Sequence, residues 1–578
     1  SLSLPFGSSY VKLEIRHRSE ALELGLLLGM VEFDRKARRS FQKVYGTHFS
    51  LRSLAVCLSF FVFLLFVSSD RKFSAGGPFR PILKVSSLSL FQSRLVRDNA
   101  PRSLAVPVIR ARVLFPDHLM LILASKVAST ARIQCVYKDL DAGDVVVRHA
   151  DYNGDLIVGC PIPPAKFSPG LEVTDEGKTV EYVGVGEVVP WDSLVYEAVL
   201  DGNTAVVFVK GLNLRPHTEA DSRRFRCHFG EGSEFSTRAV SAAQEVLRCL
   251  LPRSIREAPE KAVGWRVSVS RGGVVLPTVA EVRYVEGRGS GKYELCGCTM
   301  VWNQAAFMKE WVTYHRWLGV ERWFVYDNNS DDALLEVIDE LNKEGSNISR
   351  RVWPWTKAQE GGFSHCVLRA RAECKWVGFF DVDEFFFFPR RRGQELPGKG
   401  SLGKLVAKYT NSPTIGEIRT VCYSYGPSGL SEVPSQGVTS GYTCRVQAPE
   451  RHKSIVRPDR VDGTLLNAVH HFKLRQGYRY LNLPESTAVV NHYKYQVWDT
   501  FKSKFYRRVS TYVSNWQEEE NKGSKDRVPG LGTVAVEPRD WRFSFCEVWD
   551  TGLRDFVYAN FGDPATGGFP WERRSLVA

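Results

Sequence analysis

Apolar side chains recur every three to four positions between Asn303 and Leu318, at Met308, Trp311, Val312, His315 and Leu318, and Gly319 follows them. That spacing predicts an amphipathic helix closed by a glycine cap. A short apolar run from Arg322 to Tyr326 predicts a strand, and Asp327-Asn328-Asn329-Ser330 is a turn-forming cluster. A second helix is expected from Asp331, with Ser330 as its N-cap, acidic residues in its first turn, and Leu334, Leu335, Ile338 and Leu341 on one face. The order strand, turn, helix describes an α/β unit of Rossmann-like type. Further on, the apolar run Trp376-Val377-Gly378-Phe379-Phe380 stops abruptly on Asp381-Val382-Asp383-Glu384. Ligands in open α/β sheets bind outside the carboxyl ends of strands, so Asp327 and Asp381 are expected to converge on one crevice.

Alternating residues of a strand face opposite ways. Asp381 and Asp383 therefore serve one ion only if the chain bends there. Hard oxygen ligands suit Mg²⁺ or Mn²⁺, which bind through one or two carboxylates plus substrate phosphates, and the implied donor is a nucleotide-sugar.

Upstream the pattern changes. Short β-branched and aromatic runs, Ile133 to Tyr137, Val145 to Val147, Leu156 to Val158, Val206 to Val209 and Phe225 to Phe229, are separated by Gly, Asp and Pro turns. They predict a small antiparallel β-sandwich over residues 103–277. Asp70 to Arg102 is rich in Ser, Gly, Pro and Arg and is expected to be a stem. Leu54 to Val67 is an apolar run preceded by Arg35, Lys36, Arg38, Arg39, Lys43 and Arg52. It is expected to be an uncleaved signal anchor over 54–69 with its basic flank cytosolic, which puts the bulk of the chain in a secretory lumen. The first methionine is Met30, and residues 1–29 are set aside from fold reasoning as a possible gene-model extension of the cytosolic tail 1–53.

An ordered set of motifs resembles glycosyltransferase family 92. These are Glu310-Trp311 with Tyr314-His315, Leu318-Gly319-Val320-Glu321, Val325-Tyr326-Asp327-Asn328-Asn329-Ser330, Ser364-His365-Cys366, Asp381-Val382-Asp383-Glu384-Phe385, Lys453, His471-Phe472 and Asn491-His492-Tyr493. The resemblance spans about Tyr293 to Tyr512 and implies a GT-A-type catalytic domain over 278–515, a carbohydrate-binding-like module before it, and a C-terminal extension over 516–578. Within that family the anchor and β-rich region look like the plant β-1,4-galactan synthases, which implies UDP-galactose as donor, Mn²⁺ as cofactor, and the galactan side chains of pectic rhamnogalacturonan I as acceptor. It also implies a Golgi membrane location and a homodimer. By analogy with GT-A enzymes, Asp383 is the expected direct metal ligand, Asp381 a ribose or water-mediated contact, and His492 a further metal ligand. Asp327 and Asn329 are expected at the nucleotide, and Lys453 and Arg457 against the diphosphate. His365 and His471 are candidates to shape the donor or acceptor pocket. A β-linkage from an α-linked donor requires inversion and a general base. Glu450, His471 and Glu485 are the candidates, and spacing does not choose among them.

The chain has 77 Lys and Arg against 64 Asp and Glu, a net +13 that favours acidic partners such as pectin. No zinc-finger or RNA-binding signature accompanies that charge, so nucleic acid is not the expected partner. Twelve cysteines, of which Cys57 lies in the expected anchor, leave eleven for an oxidising lumen and hence at least one unpaired. Cys135 with Cys227 and Cys160 with Cys249 is the pairing expected before the catalytic domain. Of the sequons at Asn328 and Asn347, glycosylation is expected only at Asn347, because Asn328 is placed beside the nucleotide. Lys502, Lys504, Arg507 and Arg508 interleave with Phe505 and Tyr506 and suggest a surface that grips an acidic or sugar polymer. A hydrolase using Asp381 or Asp383 with Glu384, and a noncatalytic lectin-like scaffold, are the alternatives. Glycosidase carboxylates flank the bond from different strands, and intact metal and nucleotide motifs argue against a scaffold.

Overall fold

The computed structural model describes residues 109–123, 132–137, 147–152, 155–162, 169–175, 178–183, 187–215, 217–285, 292–389, 398–468, 470–504 and 537–572. The expected cytosolic tail, anchor and stem, and the basic segment beyond Lys504, lie outside these residues. Among the described residues no helix is long and apolar enough to cross a membrane.

The amino-terminal part is built from three sheets. Ile109–Leu114, His118–Leu123, Val147–Tyr152, Asp155–Pro161 and Val188–Pro190 form a five-stranded sheet, and Arg132–Tyr137, Pro169–Asp175 and Lys178–Val183 a three-stranded one. The third sheet has eight strands, including β1 (Val195–Asp201), β2 (Thr204–Val209), β3 (Phe225–Phe229), β4 (Phe235–Ala243) and β5 (Val246–Leu250). Strand β4 pairs at its start with β3 and at its end with β5, with a register shift between Ala239 and Ser241. Such an irregularity bends a strand, and the sheet folds around its own core of Val207, Phe225, Phe229, Leu247 and Val267.

The expected cysteine pairing is corrected here. Cys135 bonds Cys160, and Cys227 bonds Cys249. The first bridge joins the three-stranded sheet to the five-stranded one, and the second links β3 to β5 across β4. Cys135 and Cys160 share one core and Cys227 and Cys249 another, so the crossed pairing would have to connect two separate hydrophobic clusters.

The carboxy-terminal part is an α/β unit. Its central sheet contains β6 (Tyr293–Val301), β7 (Arg322–Asp327), β8 (Ile348–Val352), β9 (Cys374–Phe379), β10 (Glu384–Phe387), β11 (Ile415–Ser424), β12 (Arg451–Val456), β13 (Arg479–Asn482) and β14 (Val489–His492), in the order β8-β7-β6-β9-β12-β11-β14-β10 with β13 beside β11. Strands β8, β7, β6 and β9 are mutually parallel. Crossovers between parallel strands need helices, and these are α1 (Ala305–Leu318), α2 (Leu334–Lys343) and α3 (Gln359–Glu373). Beyond β9 the sheet turns mixed, with β12 antiparallel to both β9 and β11.

The expected α1 closes at Gly319, whose φ of 105° is open only to glycine at low cost. A Cβ there would also approach the backbone of Gly400 and Gly403 to 3.2 Å. The expected start of α2 moves three residues on, to Leu334, and Ser330 is not its N-cap. The reason lies in cross-connections. Asp332 accepts the Ala305 N–H at the start of α1 at 2.8 Å, and the Ser330 N–H is taken by Asp327. Leu334, Ile338 and Leu341 are buried as the period requires, while Leu335 is exposed.

One apolar cluster contains Phe115, Tyr196 and Phe208 from the β-rich part together with Phe324, Trp353, Phe363 and Phe379 from the α/β unit. The two parts are therefore joined by a continuous core. A polar link reinforces it: Asp201, at the end of β1, pairs with Arg248 on β5 at 2.8 Å and with Arg371 on α3 at 3.0 Å. Burial alone would raise the Asp201 carboxyl, but the two guanidinium groups hold it below its usual range. A depressed folded-state value contributes stability above the unfolded value of about 3.9, and that stability is lost as pH falls through the folded value. Asp201→Asn should lower the unfolding free energy by about 1–2 kcal/mol at neutral pH, with the deficit vanishing in acid, as urea denaturation across that range would measure.

Candidate active site

Strand β9 runs apolar to Phe379 and Phe380 and then turns sharply into β10. The turn is self-capped: the Asp381 N–H donates to Glu384 Oε2 at 2.9 Å, and the Glu384 N–H donates to the Asp381 carbonyl at 3.0 Å. Strand β10 then pairs with β14, placing Glu384 opposite His492, and the Tyr493 N–H fixes the Asp383 carbonyl at 2.8 Å. This bend brings carboxylate oxygens of Asp381, Asp383 and Glu384 within 4.8 Å of one another, and the side chains of Glu384, Cys422 and His492 form a second group as close.

Three carboxylates so close require compensation. Lys453 projects from β12 next to the residue registered with Phe379, pairs with Glu384, and lies 3.3 Å from Asp381. It also donates to His470 Nε2 at 2.7 Å. On the other side Lys504, in the helical stretch 498–504, pairs with Asp383 at 2.9 Å, and His492 Nε2 lies 3.4 Å from the same carboxylate. Burial works against every charge here. Even so, Lys504 and His492 hold the Asp383 carboxyl well below its usual range, and Lys453 holds Asp381 below. Glu384 is pushed by burial up to about 7 against the pull of Lys453. Burial and then Lys453 push the His470 imidazole down to about 3, so it is neutral and accepts from the lysine.

Other expected residues are distributed differently. Asp327 sits at the carboxyl end of β7, on the same sheet edge, but its Oδ1 accepts the Ser330 N–H and its Oδ2 takes Arg350 Nη2 at 2.5 Å. Asn329 adopts a left-handed φ of 64° and donates to the Pro354 carbonyl at 3.2 Å. Arg457 is not brought to the site. It lies four residues beyond Lys453 along the strand direction, about 13 Å away, where Nη1 donates to the Ser412 carbonyl. His365 is not in the crevice either. It is buried on α3, bonded to the Tyr326 hydroxyl at 2.6 Å and packed against Trp353 and Phe208. Burial, with Arg351 and Arg369, keeps its imidazole neutral.

Strand alternation separates the base candidates. Cys422 and Ser424 share the sheet face that holds Glu384 and His492, and Glu450 bonds Ser424 on that face. Tyr423, on the reverse face, donates to Glu485 at 2.8 Å. His471 is likewise turned away, towards Ser454 and Glu417.

The sequence profile of glycosyltransferase family 92 matches residues 291–527. A family 92 protein of Ricinus communis is 59% identical to this chain, covering 93% of it and 99% of the relative. One of Arabidopsis thaliana is 50% identical over 93% of this chain and 98% of its own. This chain belongs to glycosyltransferase family 92. A solved mannosyltransferase from Pyrobaculum calidifontis, in complex with GDP-Man and Mn²⁺, matches 42% of this chain and 68% of its own at TM-score 0.26 and 11% identity. That overlap is too slight to support an argument.

In this family 92 glycosyltransferase, sequence reasoning missed His470, Lys504 and the structural weight of Glu384. The signal for His470 was the doublet His470-His471, since adjacent residues of an extended chain face opposite ways. Lys504 was noticed only as part of a basic surface. The donor set of carboxylates with a neighbouring imidazole fits a hard divalent cation such as Mn²⁺. Asp383, Asp381 and His492 would hold it, with Glu384 bracing the bend beneath.

Removing one partner of a buried ion pair costs about 3–5 kcal/mol. Lys453→Met should therefore lower the unfolding free energy by about 3 kcal/mol, and adding Glu384→Gln should restore part of it. Urea denaturation of the wild type, both single variants and the double variant checks this. A Lys453→Met protein as stable as the wild type would contradict the compensation described here.

Proposed function

We propose that this family 92 protein transfers galactose from UDP-galactose to the non-reducing end of β-1,4-galactan side chains of rhamnogalacturonan I, with inversion and with Mn²⁺ or Mg²⁺. The observation supporting this reading is the carboxylate cluster gathered at the carboxyl end of β9, with a histidine and two lysines around it. The acceptor 4-hydroxyl attacks the anomeric carbon as the bond to UDP breaks, and UDP departs with the bonding electrons. Negative charge grows on the leaving diphosphate, where Lys453, held by Glu384, supplies positive charge from a fixed position and Lys504 supplies it once a cation takes its place at Asp383. Electrostatic stabilisation of that kind is often the largest catalytic contribution. The bound cation would act as a Lewis acid on the diphosphate.

The acceptor proton goes to a base, and Glu450 is proposed for that role. It lies on the same sheet face as the cluster, and hydrogen bonding from Ser424 together with Lys494 keeps its carboxyl below the usual range despite partial burial. It is thus ionised and ready to accept. The β-rich part is proposed to contact the polysaccharide, and the protein to work as a single-pass type II homodimer in the Golgi lumen, with the apolar run at Leu54 to Val67 as its anchor.

The protein incubated with UDP-galactose, Mn²⁺ and a short β-1,4-galactan should add single hexoses stepwise by mass spectrometry. Asp383→Ala and a chelator should each abolish the addition. Intact UDP binding without transfer would overturn the sugar or acceptor assigned here, and loss of UDP binding altogether would overturn the transferase reading. Glu450→Gln should reduce kcat by about 10²–10⁴-fold while leaving UDP affinity unchanged. A kcat within a few-fold of the wild type would remove Glu450 as the base.

A further inference from the structure

The sheet that carries the site continues past β11 through two short strands. Tyr425 is bridged antiparallel to Arg445, and Cys444–Arg445 pairs in turn with Val548–Trp549, Cys444 opposite Trp549 and Arg445 opposite Val548. Partners across a sheet share a face, and successive residues of a strand alternate between faces. The Arg445 guanidinium lies 4.1 Å over the Tyr423 ring and pairs with Asp550 at 2.7 Å, so Arg445 belongs to the reverse face with Tyr423. Cys444 and Trp549 therefore stand on the opposite face, the one that holds Ser424, His492 and Glu384. Two strand spacings of about 4.8 Å and two residues of about 3.4 Å place the Trp549 Cα about 12 Å from that of Ser424. Ser424 bonds the proposed base, Glu450.

Trp549 is 63% exposed, and among the described residues no aromatic ring stacks on it. Its backbone is held from both sides: Cys546 is disulfide-bonded to Cys444, and the Asp550 N–H donates to the Thr443 carbonyl at 2.6 Å. The same segment reaches the base. Glu547 accepts the Gln447 N–H at 2.7 Å, at the start of a loop that leaves the sheet at Val446 and rejoins it at Glu450. Phe545 stacks on Tyr495 with centroids 3.6 Å apart, next to the Lys494 that pairs with Glu450. An indole fixed on a braced strand loses little freedom when a ligand covers it. A pyranose ring offers a face of C–H bonds that such a ring covers, while the hydroxyls at its rim stay in water.

We propose that Trp549 forms a distal acceptor subsite, on which a neutral hexopyranose unit of the polysaccharide stacks some units away from the end that receives the sugar. The proposal rests on the transferase reading above, with Glu450 at the reacting end, and deepens it by giving the acceptor a path along one sheet face. The chain runs from the carboxylate cluster past Glu450 and over Trp549. A subsite so placed acts only on acceptors long enough to reach it, and it contributes to binding rather than to bond making.

Initial rates of the full-length protein in detergent, with UDP-galactose, Mn²⁺ and a ladder of β-1,4-galactan oligosaccharides from the disaccharide to the octasaccharide, test it. In Trp549→Ala, kcat/KM for the longest acceptors should fall by about tenfold through a rise in KM. Its kcat/KM for the disaccharide, its UDP affinity and its thermal midpoint should be unchanged, and Trp549→Phe should keep most of the wild-type preference for length. An equal loss at every acceptor length would make Trp549 a structural residue, and no loss at any length would remove the subsite, both with the transferase reading intact. A Trp549→Ala protein that changes its oligomeric state yet keeps the preference for length would assign the residue to a contact between copies of the chain instead. Absence of transfer by the wild type would overturn the transferase reading and the subsite with it.

Discussion

The site depends on charge compensation. Asp381, Asp383 and Glu384 are drawn together by a self-capped turn, and Lys453 and Lys504 offset their mutual repulsion. The two lysines divide the work. Lys453 comes from a neighbouring sheet strand, is buried with Glu384, and belongs to the framework. Lys504 comes from the last described turn of a helical stretch and pairs with the aspartate expected to meet a cation. One compensating charge is therefore built in, and the other lies where a bound cation would compete for the same oxygen.

Around that cluster, the fold distributes stability and chemistry to different faces of one sheet. Odd-numbered residues of β11 build the reverse face, where Glu417 pairs with Arg419 and also bonds His471 and Ser454. Even-numbered residues Thr420, Cys422 and Ser424 line the side of the carboxylates. Cys422, the one free cysteine among the described residues, is buried there, and burial followed by Glu384 pushes its thiol well above the usual value. It is thereby a packing residue beside the acids rather than a thiolate. Disulfides from β6, Cys296 to Cys374 and Cys298 to Cys366, tie the central strand to β9 and α3. The strand that ends in Asp381 is thus anchored at its start.

Much of this was legible in the chain. The apolar periodicity of α1, its glycine cap and the strand ending on paired aspartates all appear where local pattern placed them, because each is governed by neighbouring residues. The contacts that depend on distant chain were not legible. Ser330 resembles an N-cap, but the turn's polar groups are used to connect α1, β7 and α2 instead. Arg457 shares a basic run with Lys453, yet strand register carries it to the far end of the sheet. His365 stands in a matched motif and serves the core between the two parts of the protein. Lys504 reaches Asp383 across 121 positions of sequence, a separation over which periodicity conveys nothing. The disulfides of the β-rich part were mispaired because connectivity follows which sheets meet, and sequence spacing does not state that.

Titration of the protein with Mn²⁺ in the absence of any donor, followed by the loss of the free-ion paramagnetic signal, tests the competition at Asp383 most directly. If Lys504 occupies the charge position that the proposed cation takes over, Lys504→Gln should bind Mn²⁺ several-fold more tightly than the wild type, and Asp383→Asn should not bind it detectably in either background. Equal or weaker Mn²⁺ binding by Lys504→Gln, or binding that survives loss of the Asp383 carboxylate, would contradict it.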